Sequence, residues 1–436
     1  MRARLAVTAA ASALLVAVGS AAAVEPPRTP AGLQLDWVIQ ALNRASVPSN
    51  AELARHFSAA FLKAVPPARL VEALSSVSAE RPLRVAEVLA RQGQLGLQVR
   101  VETRSGASFR VTITVAAAAP HPIEGLLFQP LAAPLASWSA VDAALRGLAA
   151  HAGLYAGRAD GGALHALAAS RAGAIGSAFK LYVLGALAQA VKDGSAAWDE
   201  PLAIRDAWKS LPSGDMRTEP AGKRFTLRHF AEQMISVSDN TAADHLIGRL
   251  GRPAVERQLA ALGDHAAARS EPFLTTREFF ALKLAAPASL REAFARAGTA
   301  ERRRLLAGVD ALQPTLAEAA TWTAPRSIDR IEWFASPADL AHAIAALVDR
   351  AREPALEPVR AILAINPGVP VDHSAWRYVG FKGGSEPGVL SMTWYLERHD
   401  GRAFVLSIVL NDDRRGIDTA AALSAAEAAI GLLARA

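Results

Sequence analysis

The stretch Gly176–Val191, GSAFKLYVLGALAQAV, sets a serine and a lysine three residues apart at the head of a long apolar run. Lysine is scarce in this chain, which holds seven lysines against 40 arginines among its 436 residues. A sequence that writes nearly all its positive charge as arginine has a reason to place a lysine here. Residues three apart on a helix share a face, so the Ser177 hydroxyl and the Lys180 amine can meet. At a helix start, free backbone N–H groups and the helix dipole favour developing negative charge on that serine. A buried lysine loses solvation and can give up its proton to act as a base, whereas a guanidinium stays charged. Read by itself, the pair is more often a solvated lysine at a helix start than a catalytic one.

Two further stretches carry chemistry. In MISVSDNTAADHLIGRL, beginning at Met234, Ser238, Asp239 and Asn240 fall between an apolar helix end and a new helix near Thr241. All three are good helix caps, and a capping turn is the plain structural reading. The functional reading makes Ser238 a proton relay towards a leaving nitrogen and Asn240 a hydrogen-bonding partner for a substrate amide. Asp239 then points inward and fixes the turn. In YVGFKGGSEPGVLSMTWYLE, beginning at Tyr378, a lysine is followed by two glycines on a strand. Glycine weakens a strand unless something approaches its backbone closely. Lys382 suits a substrate carboxylate, and Gly383 and Gly384 leave room along the strand. The backbone N–H groups of Ser385 and Ser177 are candidates for an oxyanion hole. A bulge or flexible loop is the competing reading.

In this order, on a helix, a turn and a strand, the three motifs resemble those of the penicillin-recognising serine enzymes, S-x-x-K, S-D-N and K-T-G. Within that superfamily the chain is most similar to class A β-lactamases, over roughly Pro130 to Ala436; ASPADLAHAIAAL, from Ala335, is similar to a helix of their all-α lobe. The resemblance implies that Ser177 is the nucleophile and Lys180 its base or proton shuttle. Ser238 then relays a proton, Asn240 holds a substrate amide, and Lys382, Gly384 and Ser385 face the carboxylate and oxyanion. The first product is an acyl-enzyme on Ser177.

The chain departs from the family pattern in two places. Gly383 stands where the third motif has a hydroxyl residue. The Glu and Asn that position the deacylating water in class A enzymes have no matching pair, since no asparagine lies between Asn240 and Asn366. Glu271 stands near the expected distance but is followed by Pro-Phe-Leu-Thr, and its plain reading is an exposed loop carboxylate. The residues therefore suffice for acylation, while rapid release of an acyl group is in doubt. The sequence points to a serine hydrolase opening a β-lactam or related amide or ester, with slow deacylation. The alternative is a degenerate penicillin-binding-like sensor or shielding protein; a third reading, a cell-wall peptidase, takes a peptidoglycan-like amide.

Around this module the expected fold class is α+β: an antiparallel sheet flanked by helices with an all-α lobe, preceded by a small α+β domain. Residues 1–23 have the order of a secretory signal, with Arg2 and Arg4 before an apolar run and Ala21-Ala22-Ala23 as a cleavage site. Residues 24–130 form the small domain, read as two helices and about three strands including a hairpin in LGLQVRVETRSGASFRVTITVA (95–116). Residues 131–436 form the catalytic domain, helical to about Arg352 and strand-rich afterwards. The N-terminal layout resembles that of a two-domain protein of clavulanic acid biosynthesis whose first domain is isomerase-like.

Composition narrows the partners. The hydrophobic fraction of 51% supports a large core. The net charge of +6 comes from scattered arginines, with ERRRLLAG at Glu301 the one tight cluster, which excludes a nucleic-acid-binding stripe. The absence of cysteine excludes disulfides, thiolate metal sites and a lipid-anchored N-terminus. The ten histidines include no His-x-x-x-His pair with a carboxylate, so neither a metal nor another cofactor is expected. The partner is a small-molecule substrate, the protein is exported to a periplasm or medium, and no stable membrane insertion follows signal cleavage.

Overall fold

The computed structural model describes residues 24–44, 46–104, 108–131 and 135–436. The expected signal segment 1–23 and the tip of the expected hairpin at 105–107 lie outside them. The chain divides into two compact units, at Pro134 and Leu135.

The first unit is a four-stranded antiparallel meander with four helices, Pro30–Asn43, Asn50–His56, Ala59–Ala64 and Pro67–Ser78. Its strands are Arg84–Gln92, Gly96–Glu102, Ser108–Val115 and Ile123–Leu131. Val99, Val101, Val111 and Ile113 alternate with polar residues along the two middle strands. The apolar face packs on Leu35, Val38 and Leu53 of the helices and on Phe57, which follows the second helix. The unit has more elements than the sequence reading gave it. The strand Arg84–Gln92 goes unrecognised because two register shifts, between Val85 and Glu87 and between Val88 and Ala90, break its period-two alternation.

The second unit is built on a five-stranded antiparallel sheet. In spatial order its strands are Trp376–Glu386, Val389–Arg398, Ala403–Asn411, His151–Arg158 and Ala163–Leu167. Side chains alternate across it. Leu154, Trp394, Leu406 and Ile408 pack on the terminal helices Trp138–Leu148 and Thr419–Ala434, with Val141, Leu145 and Ala426. Tyr155, Tyr395, Val405 and Val409 face the helical lobe on the other side. Burial on both faces explains why the strands at Val389 and Ala403 read as nearly unbroken apolar runs.

Helices dominate from Trp138 to Arg350, as expected, but the hairpin His151–Leu167 interrupts them as an element the sequence did not disclose. Its sequence, HAGLYAGR, is rich in alanine and glycine, whose weak strand preference is overridden by pairing to the strand Ala403–Asn411.

Within the lobe, the helix Lys180–Lys192 is buried on every side over its first nine residues, Lys180 to Ala188. A helix apolar all round belongs in the middle of a domain, and this one runs through the largest core. Leu184→Ala, at a position with no exposed surface, is expected to cost about 2–5 kcal/mol. The measurement is the denaturant midpoint of the full chain. Leu164→Ala, on the edge strand and 46% exposed, is expected to stay within about 0.5 kcal/mol.

Candidate active site

Ser177 sits in a tight turn, Gly176–Phe179, that feeds directly into the helix beginning at Lys180. The helix start expected at Ser177 is thus a 3₁₀ turn, and the α-helix proper begins at the lysine. Gly176 takes a left-handed backbone (φ 48°), the conformation that costs glycine least. The preceding residue is clamped on both sides: Ile175 N donates to Trp333 O at 3.0 Å, and Ile175 O accepts from Ser391 Oγ at 2.6 Å.

Lys180 has no exposed surface. Its Nζ lies 2.5 Å from Ser238 O and 2.6 Å from Asn240 Oδ1, oxygens that only accept. It also lies 3.3 Å from Ser177 Oγ and 3.1 Å from Ser238 Oγ, hydroxyls that can accept or donate. A neutral amine has two hydrogens and one lone pair, so it can satisfy the two acceptors and still receive a proton from a hydroxyl. Burial pushes the Lys180 amine well below the usual lysine range, and the charge of Lys382 adds to the effect.

The turn at Ser238 is itself strained. Ser238 has φ 59°, a left-handed conformation that costs a non-glycine residue about 1–2 kcal/mol. Two donors hold its carbonyl there, Lys180 Nζ and Ser213 Oγ at 2.6 Å. Asp239 is buried and caps the next helix, accepting from Ala242 N at 2.7 Å, and it also accepts from Met216 N at 2.9 Å. Asn240 faces inward more than the sequence reading implied. Its Oδ1 accepts from Lys180, and its Nδ2 donates to Leu211 O at 3.0 Å.

From the sheet side, Lys382 Nζ donates to Ser238 Oγ at 2.9 Å and to Gly383 O at 2.7 Å. Burial brings its amine down to about 7. Ser238 Oγ therefore bridges two lysines whose proton affinities are both depressed. Gly384 presses on the Ser177 turn: a Cβ built there would stand 2.4 Å from Ser177 N and 2.6 Å from Ala178 N. A Cβ on Gly176 would lie 3.0 Å from Ser385 N. The strand and turn thus bring the backbone around Ser177 and Ser385 together, while the Ser385 side chain is exposed.

All seven sequence-derived site residues, Ser177, Lys180, Ser238, Asn240, Lys382, Gly384 and Ser385, gather at one cleft of about 680 Å³, with Lys180 buried behind its wall. Glu271 lines a different hollow, beside Arg269, Arg302 and Asp329. Phe279, Phe280, Trp322 and Phe381 wall the cleft, and Glu332 and Glu386 also line it. The sequence reading named none of these six. A signal did exist for their neighbour Lys283, which is buried like Lys180 and Lys382 and, like them, is one of only seven lysines. Among the described residues, no group of carboxylates and histidines is arranged to hold a metal.

A sheet capped by terminal helices, a helical lobe, and a serine–lysine pair at their junction describe a penicillin-recognising serine enzyme fold. Residues 137–436 match the beta-lactamase enzyme family, and the chain belongs to that family. Residues 26–119 match the family described as ORF 12 gene product N-terminal. Similar solved structures include a beta-lactamase from Sphaerobacter thermophilus, 22% identical over 68% of this chain and 96% of that one, with a TM-score of 0.48. A beta-lactamase from Chitinophaga pinensis is 16% identical over 68% and 95%, with a TM-score of 0.46. PBP-A is 15% identical over 67% and 94%, with a TM-score of 0.44. No curated protein matches the chain.

Gly384→Ala places a methyl group against backbone that has no side chain to swing away. The expected result is a loss of about 1–3 kcal/mol of stability from overpacking. It is read as a lowered melting temperature of the full chain.

Proposed function

We propose that the protein is an exported serine hydrolase that forms an acyl-enzyme on Ser177 and releases the acyl group slowly. The observation that carries this reading is the desolvated Lys180 amine 3.3 Å from the Ser177 hydroxyl. In the neutral form Lys180 takes the Ser177 proton as Oγ attacks the substrate carbonyl, and the carbonyl oxygen becomes an oxyanion facing the N–H groups of Ser177 and Ser385. The proton passes from Lys180 through Ser238 Oγ to the departing nitrogen or oxygen. The tetrahedral intermediate collapses as the bond to that atom breaks, leaving the acyl group on Ser177. Water later cleaves this ester and restores the hydroxyl.

The substrate is an ester, a β-lactam or a related amide. The aromatic wall of Phe279, Phe280, Trp322 and Phe381 favours a bulky apolar group on it. Slow release is supported by the position of Glu271, the carboxylate the sequence offered for water activation, which lines a separate hollow. Export rests on the order of residues 1–23; among the described residues no helix is long and apolar enough to cross a membrane.

Incubation with a reporter β-lactam and with an activated ester, followed by intact-mass spectrometry, is expected to show a persistent adduct on the native chain and none on Ser177→Ala. Lys180→Arg keeps the charge but cannot lose it, and is expected to slow adduct formation by about 10²–10⁴-fold. Absence of adduct and turnover on the native chain would favour a non-catalytic binding protein. Rapid turnover would refute slow release, and release of D-Ala from a peptidoglycan stem mimic would point to a peptidase.

A further inference from the structure

At the part of the cleft wall that Glu332 and Glu386 line, three buried ionisable side chains from three separate segments meet. Lys283 comes from the π-helical turn Ala281–Ala285, Glu386 from the end of the Lys382 strand, and Glu332 from the segment leading to Trp333. Lys283 Nζ lies 2.6 Å from Glu386 Oε1, and these two side chains are 0% and 3% exposed. Glu332 is 3% exposed. Its Oε2 accepts from Trp333 N at 2.8 Å and from Gly176 N at 3.3 Å. Gly176 is the left-handed residue on which the Ser177 turn pivots.

The remaining oxygens, Glu332 Oε1 and Glu386 Oε2, are both buried and find no donor among the described residues. Glu332 holds Gly176 N, and Gly176 lies against the backbone N–H of Ser385, the neighbour of Glu386, so the two carboxyl groups face each other across a short gap and act on each other electrostatically. Two carboxylate oxygens repel, whereas one proton between them satisfies both. Charge counting leads to the same arrangement. One lysine balances one carboxylate, and a second bare carboxylate buried here would be heavily penalised by lost hydration. Lys283 and Glu386 are the charged groups acting on Glu332, and Lys283 and Glu332 those acting on Glu386. Burial raises both carboxyl groups, Glu332 well above the ordinary range; the Glu386 charge pushes it further, while Lys283 pulls both down.

We propose that Glu332 and Glu386 share one proton and, with Lys283, form a positioning triad that pins Gly176 N and so holds the turn presenting Ser177. The effect on acylation rests on the hydrolase reading above; the shared proton does not. Glu332→Gln separates them. Its Oε1 can accept from Gly176 and Trp333 N–H groups while its amide donates to Glu386, so it imitates the protonated pair with a hydrogen that pH cannot remove.

The folded protein keeps a proton on Glu332 that the unfolded chain releases above its ordinary value of 4.5, so the native chain loses stability as pH rises from there through the raised value. The melting temperature of native full-length protein is therefore expected to fall relative to that of Glu332→Gln across this range. Parallel melting curves would overturn the shared proton. On an activated ester, the ratio of the acylation rate of Glu332→Gln to that of the native chain is expected to climb over the same range. Glu332→Ala is expected to slow acylation about tenfold or more through a misplaced turn. Native-like acylation by Glu332→Ala would overturn the positioning role. If no form of the protein acylates, the hydrolase reading fails with its positioning role, while the melting curves still decide the proton.

Discussion

The site depends on keeping water away from one amine. Lys180 begins a helix whose next eight residues are also buried, and the sheet closes its other side with Lys382. In water the amine would hold its proton near the ordinary lysine value; in this setting it is surrounded by fixed oxygens and faces a second cation. Remaining features of the site follow from that need. Asn240 and the Ser238 carbonyl accept from the amine so that its hydrogens are used within the protein. The left-handed kink at Ser238 is tolerated because it delivers a carbonyl and a hydroxyl to the same nitrogen. The unbroken apolar sequence from Leu181 to Ala188 is therefore part of the chemistry as well as of the core.

What the sequence made legible was the set of side chains whose type is dictated by local chemistry. A lysine in an arginine-rich chain and a pair of glycines on a strand each break a local rule, a Ser-Asp-Asn run between helices completes the family's motif order, and all three are found at the cleft. The fold of the second unit was legible through a family resemblance, since its motifs come in a fixed order on a helix, a turn and a strand. The hairpin His151–Leu167 was not legible, because its strand character comes from its partner in the sheet rather than from its own alanines and glycines. Glu332 and Glu386 were hidden for a different reason. Glutamates 54 residues apart look like ordinary surface charge until folding buries both against a lysine from a third segment.

Buried polar clusters of this kind are costly unless every member is satisfied. The molecule places two of them side by side: the Lys180–Ser238–Lys382 group on one flank of the Ser177 turn and the Lys283–Glu386–Glu332 group on the other. The first group holds two amines by lowering their proton affinity so that they need not both stay charged; the second mixes signs and holds its excess carboxyl by raising its proton affinity. The strand Trp376–Glu386 contributes to both, through Lys382 and Glu386, with Gly384 between them against the Ser177 amide.

That contact at Gly384 limits how the cleft can diversify. With the strand backbone lying directly on the turn, no larger side chain fits between them, and this edge of the site is closed to adaptation by substitution. The opposite wall is built differently. Phe279, Phe280 and Trp322 belong to the stretch between the Ser-Asp-Asn turn and the Lys382 strand, where rings rather than main chain meet the cavity. Related proteins with other appetites are expected to differ along that aromatic side and to leave the glycine floor as it is.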